Sequence, residues 1–434
     1  MKKSFLYLII TLGLSLILGL TSRFSPDFSE WYAVNVYPLW VGSLGRLFGL
    51  LPFSAGEVQV ILLIVGALVG LVFTIIKAVK SKPVRMGVIV QPSQRKAILA
   101  RAGMVTAMTL STALLLYIAN CGVNYNRHTF LHGIGPEDKF YVRDELAEWV
   151  VFLKLLDEFY TAFPDGFDDS GYDYTSQLRK DAVAAMNNLS KQEPKLRLHF
   201  PPPKPVMLSG LMSDSFIVGI YWPLTIEANY NAISPPSQRV TTALHELAHL
   251  GGFMRENEAH FISFLAARES DVPEFVYAAY VFAFDYYSPA YITPEMLAQL
   301  PQELQDNFRR FAHLAGVTEW KHVTFVGDCD EHSELLVWAR DILPLRISET
   351  LAEQSAFWWS RHFVYEDVID EDTGEVIDTI IVDEKPAAEW LSNITAVVND
   401  TYLILQGVED GAASYSRVSD LIYATYLREI LLED

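Results

Sequence analysis

The residues best suited to chemistry in this 434-residue chain lie in one short run, Thr242-Ala243-Leu244-His245-Glu246-Leu247-Ala248-His249. On an α-helix, positions i and i+4 share a face, so both imidazoles can reach one metal ion. Glu246 leaves the helix one residue after His245 and can reach a water beside that metal. Two nitrogen ligands and a carboxylate base are what zinc-dependent hydrolysis requires. With 10 histidines in the chain, chance produces the pattern only about 0.014 times. The competing reading is a pair of packing histidines on an amphipathic helix, and the residues that follow weigh against it.

Gly251-Gly252 comes next, ending the helix and letting the chain reverse. Arg255-Glu256-Asn257-Glu258-Ala259-His260-Phe261 then opens a second helix. A catalytic zinc takes three protein ligands and keeps a fourth position for water. Glu256 and Glu258 both stand where the third ligand could come from. They lie about 200° apart around a helix, so one metal can accept only one of them.

Further candidates surround this centre. Residues 215–229 read as a sheet edge beside the site helix, where an extended peptide could add as a further strand. Tyr221, Glu227 and Asn229 could face such a cleft. Tyr415 and Arg417, at the start of the last helix, could stabilise an oxyanion. An ordinary core strand, and surface or capping roles, are the plainer readings of these five. His128 and His132 are also four apart, but no carboxylate lies between them, and they read as a solvated segment just outside a membrane. Asp328-Cys329-Asp330-Glu331-His332 reads as the capped start of a helix. Cys121 and Cys329 could pair, although spacing fixes no distance between them. No glycine-rich phosphate loop and no serine nucleophile elbow is present.

The elements that must position the centre are mostly helical. Apolar residues recur at three- and four-residue spacing over 144–163, 181–189, 239–249, 256–267, 273–287, 294–315, 348–359, 386–405 and 414–432. Residues 206–209 and 215–222 read as short strands. Residues 366–381 read as a hairpin turning at Asp372-Thr373-Gly374.

Ahead of this part lies a different composition. Hydrophobic residues are 51% of the chain and mean hydropathy is +0.18, high for a soluble protein. Residues 1–122 hold 11 basic and 3 acidic residues, a net of +8, and residues 123–434 hold 22 and 50, a net of −28. The overall charge of −20 argues against nucleic acid as a partner. Three uncharged apolar runs, 5–21, 58–76 and 104–121, are each long enough to span a bilayer core of about 30 Å as a helix. The first lacks a small-x-small cleavage pattern, so it reads as an uncleaved span rather than a signal peptide. Lys77, Lys80, Lys82, Arg85, Arg95, Lys96 and Arg101 crowd the loop between the second and third runs, which places that loop and the N-terminus in the cytoplasm. Everything after Cys121 then lies outside. Trp31, Tyr32, Tyr37 and Trp40 suit the outer interface, and residues 40–53 could lie in it as an amphipathic segment.

Two resemblances extend this reading. In metallopeptidases with a glutamate third ligand, that residue often stands in Glu-x-x-small-Asp/Asn, its last residue supporting a histidine ligand. Residues 256–260 are similar to this pattern and register Glu256 as the ligand, with Glu258 the alternate. His260 replaces the Asp or Asn, which admits it as a supporting group or a rival ligand. More widely, segments 208–213, 219–229, 245–253, 255–261, 400–403 and 414–421 resemble bacterial domain-of-unknown-function 3810 proteins. That resemblance covers nearly the whole chain. It implies a membrane-anchored protein with a zincin-like outer domain and no established substrate. The combined expectation is an α-helical transmembrane anchor over 1–122 and a mainly α (α+β) zincin-like extracytoplasmic domain over 123–434. The expected cofactor is Zn²⁺ and the expected activity is that of a peptidase on a peptide or protein. The alternatives are an envelope assembly protein with a structural metal and a zinc amidase acting on cell-wall peptides.

Overall fold

The computed structural model of the chain describes residues 2–81, 95–132, 144–167, 171–287, 291–314 and 417–433, with short pieces between them. From the N-terminus run α1 (Lys2–Phe24), α2 (Pro26–Asn35), α3 (Tyr37–Trp40), α4 (Arg46–Gly49) and α5 (Ala55–Lys80). A small antiparallel hairpin, β1 (Val84–Met86) and β2 (Ile89–Gln91), leads to α6 (Arg95–Tyr117).

Among the described residues, three helices are long and apolar enough to cross a membrane: α1, α5 and the stretch Arg95–Asn126 that contains α6. Only Ala55 and Gly56 are buried along the whole of α5. A helix apolar on all sides and exposed along most of its length, with α6 beside it, is suited to lipid. Between α1 and α6, Thr11 donates to Ser111 Oγ at 3.0 Å, and the Tyr7 and Thr112 hydroxyls meet at 2.6 Å. Hydroxyl pairs of this kind join helices where lipid provides no hydrophobic drive for association.

The rest is mostly helical with a small sheet. It runs α7 (Glu145–Ala162), α8 (Ser176–Gln192), β3 (Lys204–Val206), α9 (Ser209–Asp214), β4 (Gly219–Trp222), β5 (Glu227–Asn231), α10 (Pro236–Leu250), α11 (Glu256–Arg268) and α12 (Pro273–Tyr286). There follow β6 (Tyr291–Ile292), α13 (Pro294–Gln299), α14 (Gln302–Leu314), β7 (Val337–Trp338), β8 (Phe363–Ile369), β9 (Val376–Glu384) and α15 (Val418–Glu433). The main sheet has the order β3-β5-β4, with β3 parallel and β4 antiparallel to β5. β8 and β9 pair antiparallel as the expected hairpin.

Three details differ from the sequence reading. The strand read over 206–209 lies at Lys204–Val206, and Ser209 instead opens the short helix α9. The strand β5 was read only in part, as the end of the sheet edge over 215–229, because three of its five residues are polar. All five of its residues are nevertheless buried. The helix read over 294–315 breaks in two, because Leu300 takes an extended backbone before Pro301, a position where the helical conformation is disfavoured. The helix expected at 348–359, Tyr415 and the cluster at 328–332 lie outside the described residues.

Helix α10 forms the middle of the core, with every residue from Val240 to Leu250 buried. It packs against α8, α11, α12, β4 and β5. The core is not bounded at residue 122. Tyr32, Tyr37 and Val41, from the connection between α1 and α5, belong to the same apolar cluster as Leu244 and Phe261. Tyr32 and Tyr37, expected at the lipid interface, are therefore core residues.

Candidate metal centre

The last turn of α10 folds back on itself. Gly251 N–H donates to Leu247 O at 2.8 Å, Gly252 N–H to His249 O at 2.8 Å, and Phe253 N–H to Ala248 O at 3.1 Å. Gly252 takes φ +86°, and a Cβ there would stand 3.2 Å from Arg127 Nη1. Both conditions select glycine. The reversal lays α11 beside α10 and brings Glu256, its first residue, to the two histidines.

Glu256 Oε2 lies 3.1 Å from His245 Nε2 and 3.6 Å from His249 Nε2. All three residues are buried, and one donor atom from each lies within 4.8 Å of the others. Two donors on a tetrahedral zinc stand about 3.3 Å apart, given Zn–N and Zn–O bonds near 2.0–2.1 Å. Both separations are close to that figure, and two imidazoles with one carboxylate are a catalytic zinc donor set. The residues therefore fit such an ion.

The orientation of His249 is set from behind. Its Nδ1 is 2.8 Å from Phe253 O. A carbonyl only accepts, so Nδ1 carries a hydrogen and Nε2 is the ring atom left facing Glu256, the one that would take a metal ion on losing its proton. Phe253 is held in turn by Arg127, whose guanidinium stands 4.1 Å over its ring and donates to Gly252 O at 3.4 Å. Arg127 is 2% exposed and forms a two-pronged bond to Glu30 at 3.0 and 2.8 Å. The sequence reading missed both residues. They carry no motif spacing, and only burial of an ion pair marks them.

Glu246 lies against β4. A Cβ at Gly219 would collide with Glu246 Oε1 and the Thr242 methyl, so glycine leaves room for the carboxylate. The Tyr221 backbone N–H donates to that carboxylate. Its Oε2 is buried and has no hydrogen-bond partner. Burial pushes the Glu246 carboxyl up to about 8, with His249 opposing and Glu256 adding to the rise. Burial alone would lower His249, but Glu256 and then Glu246 outweigh it and raise the imidazole to about 9. Burial and the neighbouring His249 lower His245. Burial opposes ionisation of Glu256, yet the two histidines hold it well below the usual carboxylate range.

The remaining candidates fall in several places. Glu258 points away from the histidines and accepts from Phe130 N at 2.9 Å and Arg255 Nη1 at 3.2 Å. The His260 ring packs 4.2 Å from that of His245, with Phe282 and Tyr286 beside it, and burial keeps it neutral. The Tyr221 hydroxyl meets Tyr37 at 2.9 Å and donates to Asn120 O at 3.1 Å. Asn229 donates to Ile220 O and Glu227 O within the sheet. Glu227 pairs with Lys204 and accepts from the first backbone N–H groups of α5, so it caps a helix rather than lining a cleft. Arg417 directly precedes α15, which packs on α11. His128 and His132 stack at 4.0 Å, and His128 Nε2 is 2.8 Å from Asp27. The Cys121 thiol is buried 3.7 Å from Met254 Sδ, and Cys329 lies outside the described residues.

No curated protein and no solved structure matches the chain. A family described as protein of unknown function (DUF3810) matches residues 32–313. This span covers more than half of the chain, from within α2 to within α14, and includes His245, Glu246, His249 and Glu256. The chain therefore belongs to the DUF3810 family.

Proposed function

We propose that this protein is a membrane-anchored, zinc-dependent metallopeptidase with a zincin-like outer part. One observation carries the reading. Three buried donors, His245, His249 and Glu256, converge at metal-ligand spacing, and beside them Glu246 keeps a buried oxygen without a partner. A structural ion needs no such carboxylate. A hydrolytic one does.

A bound zinc ion would supply Lewis acidity toward a water and a scissile carbonyl. His245, His249 and Glu256 hold it, with Phe253 O fixing the tautomer of His249. Glu246 takes a proton at Oε2 from a water in the cleft and delivers it to the leaving amine. Burial holds the Glu246 carboxyl above the usual carboxylate range, which suits a group that must both accept and release a proton. The substrate strand pairs along β4, the edge of the sheet, in the manner of strand addition. The excess of cations between α5 and α6 supports a cytoplasmic position for that loop and an outer one for the centre.

The test uses the full chain and a mixture of unstructured peptides. Glu246→Gln should keep zinc and lose cleavage by about 10²–10⁴-fold. Undiminished cleavage in that variant would overturn the reading. Zinc binding with no cleavage by the unaltered chain would favour a structural metal, and cleavage confined to cell-wall peptides an amidase.

A further inference from the structure

Among the described residues, four exposed apolar side chains outside the three spans stand on adjoining elements. Met207 and Leu208 precede α9, Leu211 lies on it, and Ile220 lies on the neighbouring β4. Their exposures are 62%, 49%, 60% and 41%. Four large apolar residues on adjoining elements form a patch of the kind that marks an interaction surface.

Two sets of bonds fix where this patch stands. Glu57, in the first turn of α5, accepts from Met207 N at 2.9 Å and Leu208 N at 2.8 Å. Trp222, at the end of β4, donates from its indole to Gln59 at 2.9 Å. A Cβ on Gly56 would overlap the Trp222 ring, so strand and helix are in direct contact. The uncharged run of α5 begins at residue 58. The patch is therefore level with the outer end of a span, beside exposed Leu47, Leu50 and Phe53 of the preceding connection.

We propose that the face formed by Met207, Leu208, Leu211 and Ile220 seats in the outer lipid interface. It continues the surface of the three spans, so its occupant is the bilayer that those spans cross. Side chains at such a surface sit about 5–10 Å into the boundary between headgroups and acyl chains. The metal centre then opens at the membrane. Gly219 touches Glu246, and Trp222 touches the first turn of α5. Three residue steps of strand separate them, which is about 10 Å. On the peptidase reading, the substrate is a stretch of polypeptide lying against the lipid surface, such as the segment flanking another protein's membrane span.

The experiment places an environment-sensitive fluorophore on single introduced cysteines in the full chain. The chain is reconstituted in phosphatidylcholine–phosphatidylglycerol vesicles that carry nitroxide near the top of the acyl chain. Leu211→Cys and Ile220→Cys report on the patch, Leu68→Cys on the middle of α5, and Arg309→Cys on exposed α14. Each signal is read as the difference from the unsubstituted chain labelled alike. The labels at 211 and 220 should lose at least about half of their intensity, as expected at interfacial depth, while the label at 309 loses little. Quenching at 211 and 220 no greater than at 309, with 68 shielded from water, would overturn the proposal. An unshielded label at 68 would overturn it together with the spanning reading. Neither result depends on hydrolysis, so failure of the peptidase reading would be seen separately.

Discussion

Glu227 and Glu246 are both buried carboxylates of the part that follows α6, 2% and 4% exposed, but their surroundings differ. Glu227 has all of its bonding capacity filled. It pairs with Lys204, accepts from Thr225 Oγ1 at 2.6 Å, and accepts from Ala55 N at 3.2 Å and Gly56 N at 2.6 Å. Lys204 donates onward to Phe48 O at 2.6 Å. Glu246 has one oxygen with no partner and a carboxyl that burial raises to about 8. Burying a polar group costs about 1–3 kcal/mol when it is left unbonded. A cluster that is fully bonded serves the fold. A cluster that tolerates an unbonded oxygen is suited to work on something else.

The largest effect should come from the saturated cluster. Removing one partner of a buried ion pair typically costs about 3–5 kcal/mol. Lys204→Ala should therefore lower the melting temperature of the full chain in detergent far more than Glu246→Gln does. Comparable melting of the two variants would erase the distinction between the clusters.

Within the metal centre, Glu256 and Glu258 divide in the same way. Glu256→Ala should weaken zinc binding by more than about 100-fold, the loss expected beyond a supporting group. Glu258→Ala should leave zinc affinity nearly unchanged and instead destabilise the chain by about 1–3 kcal/mol, since Phe130 N and Arg255 lose their acceptor. Zinc release by Glu258→Ala alone would show that the wrong carboxylate has been assigned.

Protonation sharpens the contrast further. His249 is raised from 6.5 to about 9 and Glu246 from 4.5 to about 8. Groups raised on folding stabilise the metal-free chain below their unfolded pKa values, and that stability is lost as pH rises through the folded ones. The lowered His245 and His260 act in the opposite sense below their ordinary value of 6.5, so the loss in the metal-free chain should show between about pH 6.5 and pH 9. Over the same interval, zinc affinity should rise, because binding must expel the His249 proton. Calorimetry at pH 7 in buffers of different ionisation heat should show release of about one proton per zinc. No release would mean that His249 is already neutral in the free centre.

The smallest effect should fall on Arg127, which touches no donor. Arg127→Lys loses the two-pronged bond to Glu30 and the stack on Phe253, and loosens the carbonyl that orients His249. Zinc affinity should drop about 10-fold, at the low end for groups behind a ligand. An unchanged affinity would show that Phe253 holds its place without this brace.

Legibility in the sequence followed the physics of each element. The two histidines could be read because helix periodicity alone puts positions 245 and 249 on one face. The three apolar runs were equally plain, since lipid demands length and hydropathy that few core helices share. Glu256 needed a resemblance, because the reversal at Gly252 decides which carboxylate returns to the centre. The strand β5 was legible only in part, within the sheet edge at 215–229, because its polar residues look like surface, whereas Asn229 and Asn231 are buried and use their side chains to bond neighbouring backbone. Nor could Tyr37, Arg127 and Glu30 be assigned to the core, since that depends on how the α1–α5 connection docks. Glu227 looked like a cleft residue because its partners lie 171 or 172 positions away, at Gly56 and Ala55.

The central claim, that His245, His249 and Glu256 form a metal centre served by Glu246, is tested most directly by metal analysis of the purified full chain. Unaltered protein and Glu246→Gln should each carry about one zinc per chain, and His249→Ala should carry none, since a three-ligand site depends on every ligand. Metal-free unaltered protein after purification in zinc-containing buffer, or full retention of zinc by His249→Ala, would contradict the account.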